Sequence, residues 1–314
     1  MALLIESVSK AFGEVKALDG ISLEINPGEV FGFLGANGAG KTTAMRIVLD
    51  IIRPDSGSVT WNGRLNTELP RETWGYLPEE RGLYAKMTVL EQLVFFANLQ
   101  GVRGKAAVRE TRDWLERFRI PDYADRRAEQ LSKGNQQKVQ FIAAILHDPQ
   151  VLLMDEPFTG LDPVNVALLK QAFLELKDRG KTIVFSTHQM ETVEEMCESI
   201  AILDRGRVVV AGSVRDVRRS TGRQMVRLAV QGDAEIAWLG TLDGVHVTRR
   251  GQDYTEAEVA PGHDPGTILA AALSRGCEVR HFQMTDPSLE QVFIERVGQI
   301  DATERTLAPS AVQR

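Results

Sequence analysis

The chain has 314 residues, of which 43% are hydrophobic and 25% charged, and its formal net charge is −6. That composition excludes a disordered chain and supports an ordinary core with room for two domains. The acidic balance argues against a general nucleic-acid binder, which carries a basic face.

Two cysteines, Cys197 and Cys277, stand far apart without a CxxC pattern, as expected of reduced thiols. Glu6 and Lys10 interrupt a short apolar start, so no signal peptide is expected. No apolar run approaches the roughly 18 residues that a spanning helix needs.

In chain order, residues 3–8 alternate apolar and polar, Phe12-Gly13 breaks the pattern, and Ile21, Leu23 and Ile25 resume it, which predicts strand, turn and strand. Asn26-Pro27-Gly28 is a turn. Val30-Phe31-Gly32-Phe33-Leu34 is a nearly continuous apolar run, suited to a strand buried on both faces. A glycine-rich loop and a helix follow, then the polar turn 53–57 and a strand near 58–61. From Met87 to about Leu146 the pattern becomes helical, with Thr88 and Glu91 spaced as a capping box. Strand character returns at 151–154 and 182–185, separated by a helix at about 163–179 that opens on Pro163. Alternating strand and helix predicts a mainly parallel α/β sheet. Near 213–223 the chain turns basic and polar. Residues 224–298 predict a small α+β domain, with strands at 225–230 and 245–248 and a helix near 267–274, and residues 299–314 a disordered tail.

Two motifs carry chemistry. Gly35-Ala36-Asn37-Gly38-Ala39-Gly40-Lys41-Thr42-Thr43 fits the phosphate-loop pattern G-x-x-x-x-G-K-[ST], between a buried strand and a helix. Its glycines let the backbone curl so that amides point inward at phosphate oxygens, and the helix beginning near Lys41 aims its positive end at the same point. Lys41 is placed to reach the β- and γ-phosphates and Thr42 to offer a hydroxyl to Mg²⁺. The second motif is the apolar strand 151–154 ending in Asp155-Glu156. Ligand sites of parallel sheets lie at the carboxyl ends of strands, so Asp155 is placed to hold Mg²⁺ and Glu156 to act as general base on the attacking water.

With these motifs in place, the sequence resembles the ABC ATPase family over about residues 3–220. Leu131-Ser132-Lys133-Gly134-Asn135-Gln136-Gln137 resembles the family signature, LSGGQ. Ser132 and Gly134 match it, and Lys133 and Asn135 depart from it. Both matching residues stand before a helix expected over 136–146, whose free amides can bind an anion. Thr159-Gly160-Leu161-Asp162 resembles the D-loop, with Asp162 its carboxylate, and Ser186-Thr187-His188 the H-loop, with His188 on the γ-phosphate. Phe12 stands where the family stacks an aromatic ring on adenine. The Q-loop glutamine falls at Glu79, which keeps an oxygen for Mg²⁺ or water, adds a charge and loses the amide donor; the position implies a metal-sensing and coupling role. Residues 286–293 resemble the end of an extra domain of bacterial export-type members.

The resemblance implies a P-loop NTPase core over residues 1–220 with an antiparallel N-terminal β subdomain and a helical insert at about 87–146. It implies ATP and Mg²⁺ as ligands, and a second copy or similar subunit as partner, since each ATP lies between one phosphate loop and the other subunit's signature. A separate integral-membrane permease would dock at the insert and the Glu79 loop, on the inner face of the cell membrane, and no nucleic-acid partner is expected. The competing expectation is a soluble ABC ATPase acting on ribosomes or DNA. Those members carry two cassettes or a long coiled coil, and here only about ninety residues, without a long heptad run, separate Lys41 from Ser132. A regulatory role for the C-terminal domain is the third. The arginines 215, 218, 219 and 223 are expected on a solvated helix face, with lipid headgroups or the permease as the alternative.

Overall fold

The computed structural model describes residues 2–80, 82–232 and 236–307. The chain divides into two compact units, one up to Gly212 and the other from Ser213.

In the first unit β1 (Leu3–Phe12) turns at Gly13-Glu14 into β2 (Val15–Ile25), and β3 (Val30–Leu34) leads through the glycine-rich loop into α1 (Lys41–Val48). Then come β4 (Ser56–Trp61), β5 (Arg64–Leu65) and β6 (Trp74–Leu77). Three helices follow, α2 (Val89–Leu99), α3 (Lys105–Arg117) and α4 (Lys133–Ile145). The capping box of α2 forms as its spacing requires: Glu91 N–H donates to Thr88 Oγ1 at 3.2 Å and Thr88 N–H to Glu91 Oε2 at 2.9 Å. The unit closes with β7 (Val151–Asp155), α5 (Pro163–Asp178), β8 (Thr182–Thr187), α6 (Met190–Met196), β9 (Ser199–Asp204) and β10 (Arg207–Ser213).

Two sheets result. A four-stranded one has the order β2-β1-β4-β5, antiparallel throughout. A six-stranded one has the order β10-β9-β3-β8-β7-β6, and β9, β3, β8, β7 and β6 pair in parallel. Every residue of β3, β7 and β8 is buried, which is why these strands show no polar alternation. Phe31, Phe33, Leu153 and Val184 join one core with α1 and the antiparallel sheet. Phe185 faces the other way, edge-on to Phe173, which stacks on Phe141 of α4.

The second unit contains α7 (Val214–Arg219), β11 (Gln224–Val230), β12 (Val245–Arg250), β13 (Thr255–Val259), α8 (Gly266–Ser274), β14 (Val279–Thr285) and α9 (Leu289–Leu307). Its sheet, β12-β13-β11-β14, is antiparallel throughout. Val226, Leu228, Ala257, Val259 and Ile268 form its core.

Four expectations change. The division falls after Gly212 and not near residue 220, because α7 belongs with the second unit: Arg218 donates to the carbonyls of Asp286 at 2.9 Å and Pro287 at 2.7 Å. For the same reason the basic stretch is no bare solvated face, since Arg219 pairs with Asp286 and Arg223 with Glu258 and Glu295. The disordered tail expected from residue 299 is instead helical to Leu307; a helix already nucleated extends by one backbone bond per residue without apolar periodicity. Residues 308–314 lie outside the described residues. The signature helix starts at Lys133 and not at Gln136, because Ser132 is its N-cap and residues 133–135 complete the first turn.

Candidate functional site

The parallel sheet aligns four strand ends. Leu34 of β3 is level with Thr187 of β8, Asp155 of β7 with Ser186, and Leu77 of β6 with Met154. The residues that leave these ends are therefore neighbours: Gly35, His188, Glu156 and Glu79.

The loop after β3 is braced on three sides. Gly35 (φ 150°) leaves so little room that a Cβ would lie 2.3 Å from the Leu203 carbonyl oxygen. Gly40 (φ 106°) packs as closely on Ala17 and Leu18 of β2, where a Cβ would lie 2.6 Å from the Ala17 oxygen. The Ala39 carbonyl accepts the Gly206 N–H at 3.0 Å. Between these contacts Asn37, Gly38 and Ala39 form a turn closed by Ala39 N–H to the Ala36 carbonyl at 3.1 Å. Gly40 is the N-cap of α1 and supplies no side-chain cap, and the first turn carries no acid. The amides of Lys41, Thr42 and Thr43 thus lack intrahelical acceptors and await an anion.

Lys41 is 6% exposed and donates to the carbonyls of Gly35 at 2.8 Å and Ala36 at 3.1 Å. Burial pushes its ammonium down from the ordinary range, and the charges of Glu156, Asp155 and Glu79 act against that. Thr42 Oγ1 donates to Asp155 Oδ2 at 2.6 Å, and Ser186 Oγ donates to Asp155 Oδ1. The same Ser186 hydroxyl accepts the Glu156 N–H at 3.1 Å. Glu156 sits in the left-handed region at φ 49°, unusual for a non-glycine residue, and its carboxylate is held at both oxygens. Thr159 Oγ1 donates to Oε2 at 3.0 Å, and a His188 ring nitrogen, Nδ1, meets Oε1 at 3.0 Å. A buried carboxylate with one oxygen against a half-open imidazole can take a proton from a water bound beside it.

Comparison with known proteins decides what this arrangement belongs to. Residues 18–159 match the family model described as ABC transporter, and residues 212–297 the model of the DrrA1-3-like ATP-binding protein C-terminal domain. The ABC transporter ATP-binding protein YhaQ of Bacillus subtilis is 46% identical over 95% of this chain and 99% of its own. The chain belongs to the ABC transporter ATP-binding proteins. The Nod factor export ATP-binding protein I of Paraburkholderia xenovorans is 36% identical over 68% of this chain and 71% of its own. A solved ATP-binding subunit of an ABC transporter shares 32% identity with a TM-score of 0.66, over 71% of this chain and 94% of that one. A dimeric ATP-binding cassette, bound to ADP and Pi in a post-hydrolysis state, shares 25% identity with a TM-score of 0.62, over 67% and 98%.

In this ABC subunit the remaining candidates form a second group. Ser132 caps α4 by accepting the Asn135 N–H at 3.4 Å, and Asp162 caps α5 by accepting the N–H groups of Val164 and Asn165, each at 3.0 Å. Those bonds hold the Asp162 carboxyl below the usual carboxylate range, the Asn165 amide foremost. Gly134 lies against Asn165 and Leu161, where a Cβ would be 3.1 Å from Asn165 Nδ2, so the signature and the D-loop make one surface. Among the described residues no hydrogen bond or ion pair joins that surface to the phosphate loop. Phe12, 50% exposed, ends the strand paired with β2, and Lys10 Nζ lies 5.6 Å from its ring centre. Its open ring stands on the hairpin that braces Gly40.

Several residues escaped the sequence reading. Ser186 and Thr159 were legible only as members of the H-loop and D-loop resemblances, because their roles depend on the register that sets Ser186 level with Asp155 and on the turn that brings Thr159 back to Glu156. Gln137 Nε2 donates to the Pro157 carbonyl at 3.1 Å and Gln140 Nε2 to the Glu80 carbonyl at 3.2 Å, so α4 is tied to both acidic loops.

Proposed function

We propose that this chain is the ATP-hydrolysing subunit of an ABC exporter, driving a separate membrane permease by ATP-dependent closure of two such subunits. The observation that carries this is the hydroxyl–carboxylate network at the strand ends, Thr42–Asp155–Ser186–Glu156–His188, beside an uncapped helix start.

The loop amides and Lys41 grip the β- and γ-phosphates, and Phe12 offers a stacking face to the base. The donor set fits magnesium: the Asp155 carboxylate and the Thr42 hydroxyl are hard oxygen ligands already side by side, and among the described residues no group of three or more His, Cys, Asp or Glu offers a dedicated metal cage. Magnesium bound there would neutralise charge on the phosphates. Glu156 holds the attacking water and takes its proton, with Thr159 and His188 fixing both carboxylate oxygens. Ser132, Gly134 and Asp162 face a second subunit's nucleotide, so ATP joins the two and hydrolysis releases them.

No helix among the described residues is long and apolar enough to cross a membrane, which supports a separate spanning partner. A groove of about 610 Å³ between α2 and the β6 loop, with Ile51 and Leu99 exposed at its rim, supports docking there. The name of the Nod factor export relative supports export.

The test is Glu156→Gln. The variant is expected to bind Mg-ATP as the parent does, to release phosphate at least about 100-fold more slowly, and to accumulate an ATP-bound dimer in sedimentation. Turnover at the parent rate would remove Glu156 as the base. Lys41→Ala is expected to lose tight nucleotide binding, and unaltered affinity would refute the phosphate-loop role.

A further inference from the structure

We propose that Lys133 binds the triphosphate held by a second copy of this chain and there supplies the positive charge that Glu79 cancels. This inference rests on the proposed ATP-joined dimer.

The two departures from the family pattern carry opposite charge. Where the family has glutamine, Glu79 adds a third carboxylate whose charge, with those of Glu156 and Asp155, acts on the Lys41 ammonium. Glu79 leaves β6 two residues after Leu77, which pairs with Met154, and so stands at the same sheet end as Glu156. Arg46, one turn further along α1, lies against Tyr76 and also feels Asp155 and Glu80. A magnesium triphosphate remains an anion, so a site with three carboxylates and one ammonium is short of positive charge.

The missing cation stands on the opposing surface. Lys133 replaces a glycine in the signature, directly after the cap Ser132, in the first turn of α4. It is exposed, that turn carries no acid, and among the described residues Lys133 makes no hydrogen bond or ion pair. Gly134 packs on Asn165, whose Nδ2 donates to Asp162, so Lys133 stands at the helix start beside the surface that Ser132 and Asp162 share. On closure that face meets the partner's phosphates, and a lysine there acts with the helix start on the same anion. Within one copy Lys133 and Glu79 need not touch; they meet through the nucleotide, one from each side.

The experiment measures the concentration of a non-hydrolysable ATP analogue that half-converts the full chain, with Glu156 intact, to dimer in sedimentation with magnesium. Lys133→Gly is expected to raise that midpoint about tenfold or more, and Lys133→Arg to leave it within about threefold. Adding Glu79→Gln to Lys133→Gly is expected to restore the midpoint to within about threefold of the parent, a non-additive cycle. A midpoint unmoved by Lys133→Gly, or unrestored by Glu79→Gln, overturns the inference and leaves the ATP-joined dimer standing. If the parent binds the analogue yet never dimerises, the dimer itself falls and the inference with it.

Discussion

Replacing Ser186 by alanine tests whether one hydroxyl holds the two acidic residues in place. Ser186 is 0% exposed, and its Oγ donates to Asp155 Oδ1 while accepting the Glu156 N–H at 3.1 Å. Alanine is nearly isosteric, so cavity formation contributes little and the hydrogen bonds decide the outcome. Asp155 is 1% exposed and keeps Thr42 on Oδ2, but its Oδ1 loses a donor. A hydrogen bond to a charged group contributes about 1.5–3 kcal/mol. The Glu156 N–H keeps the Ser186 carbonyl at 3.2 Å and is not orphaned, so the lower half of that range applies, about 2 kcal/mol. For a unit of this size that corresponds to a fall in Tm of about 5 °C. Glu156 also loses a restraint on its left-handed backbone, a conformation that costs about 1–2 kcal/mol and persists only when its surroundings hold it. The phosphate loop is untouched, so kcat is expected to fall by about tenfold or more while ATP affinity changes by less than about threefold. Differential scanning and steady-state phosphate release measure both quantities. A Tm within 1 °C of the parent together with an unchanged kcat would show that Ser186 is a bystander.

Gly35→Ala is expected to weaken ATP binding at least about tenfold, because its Cβ would meet the Leu203 carbonyl and displace the loop, as nucleotide titration would show. Gly38→Ala, at φ 82° with open space around it, is expected to cost only the backbone penalty of about 1–2 kcal/mol. Burial lowers the His147 imidazole from 6.5; Nε2–H donates to the Trp74 carbonyl at 3.0 Å, and buried Nδ1 has no acceptor among the described residues for a second proton. The unfolded chain therefore binds that proton more readily, so the stability is fully present above pH 6.5 and is lost as pH falls below it, by at most about 1.4 kcal/mol per pH unit. Urea melts across that window are expected to show this slope in the parent and not in His147→Gln. Arg218→Ala, which removes two donors from the Asp286 and Pro287 carbonyls, is expected to destabilise the second unit by about 1–3 kcal/mol. Arg219→Ala, which removes a half-exposed ion pair, is expected to cost under about 1 kcal/mol, and hydrogen exchange in β11 and β14 separates the two.

Elements whose cause is local were legible in the sequence. The runs 30–34, 151–154 and 182–185 announce buried parallel strands because both faces of each are covered. Thr88 with Glu91, and Asp162 with Pro163, announce helix starts because a cap needs only residues within one turn. β9 and β10 were not foreseen, although Ile200–Leu203 is as apolar and as buried as β7. They follow a short helix, Met190–Met196, too brief for a periodic pattern to mark it as the crossover.

The site was legible by residue and not by wiring. Lys41, Asp155 and Glu156 could be named because each lies at a strand end or helix start whose position the pattern supplies, and His188 because its place in the motif series resembles the family's H-loop. That Ser186 joins Asp155 to Glu156, or that Gln140 ties α4 to the Glu80 carbonyl 60 positions away, depends on the register between strands and on helix rotation, which no local pattern encodes. The basic stretch after residue 213 shows the same limit. Four arginines on six-residue α7 and just beyond it were expected on a solvated face, with lipid headgroups or the permease as the alternative, and nothing local pointed to counter-charges within the same unit. What separates these readings is where Asp286, Glu258 and Glu295 lie, 35 or more residues on, and that is set by the antiparallel order β12-β13-β11-β14. A charge run can thus be assigned a partner only after the sheet that carries its counter-charges has been placed.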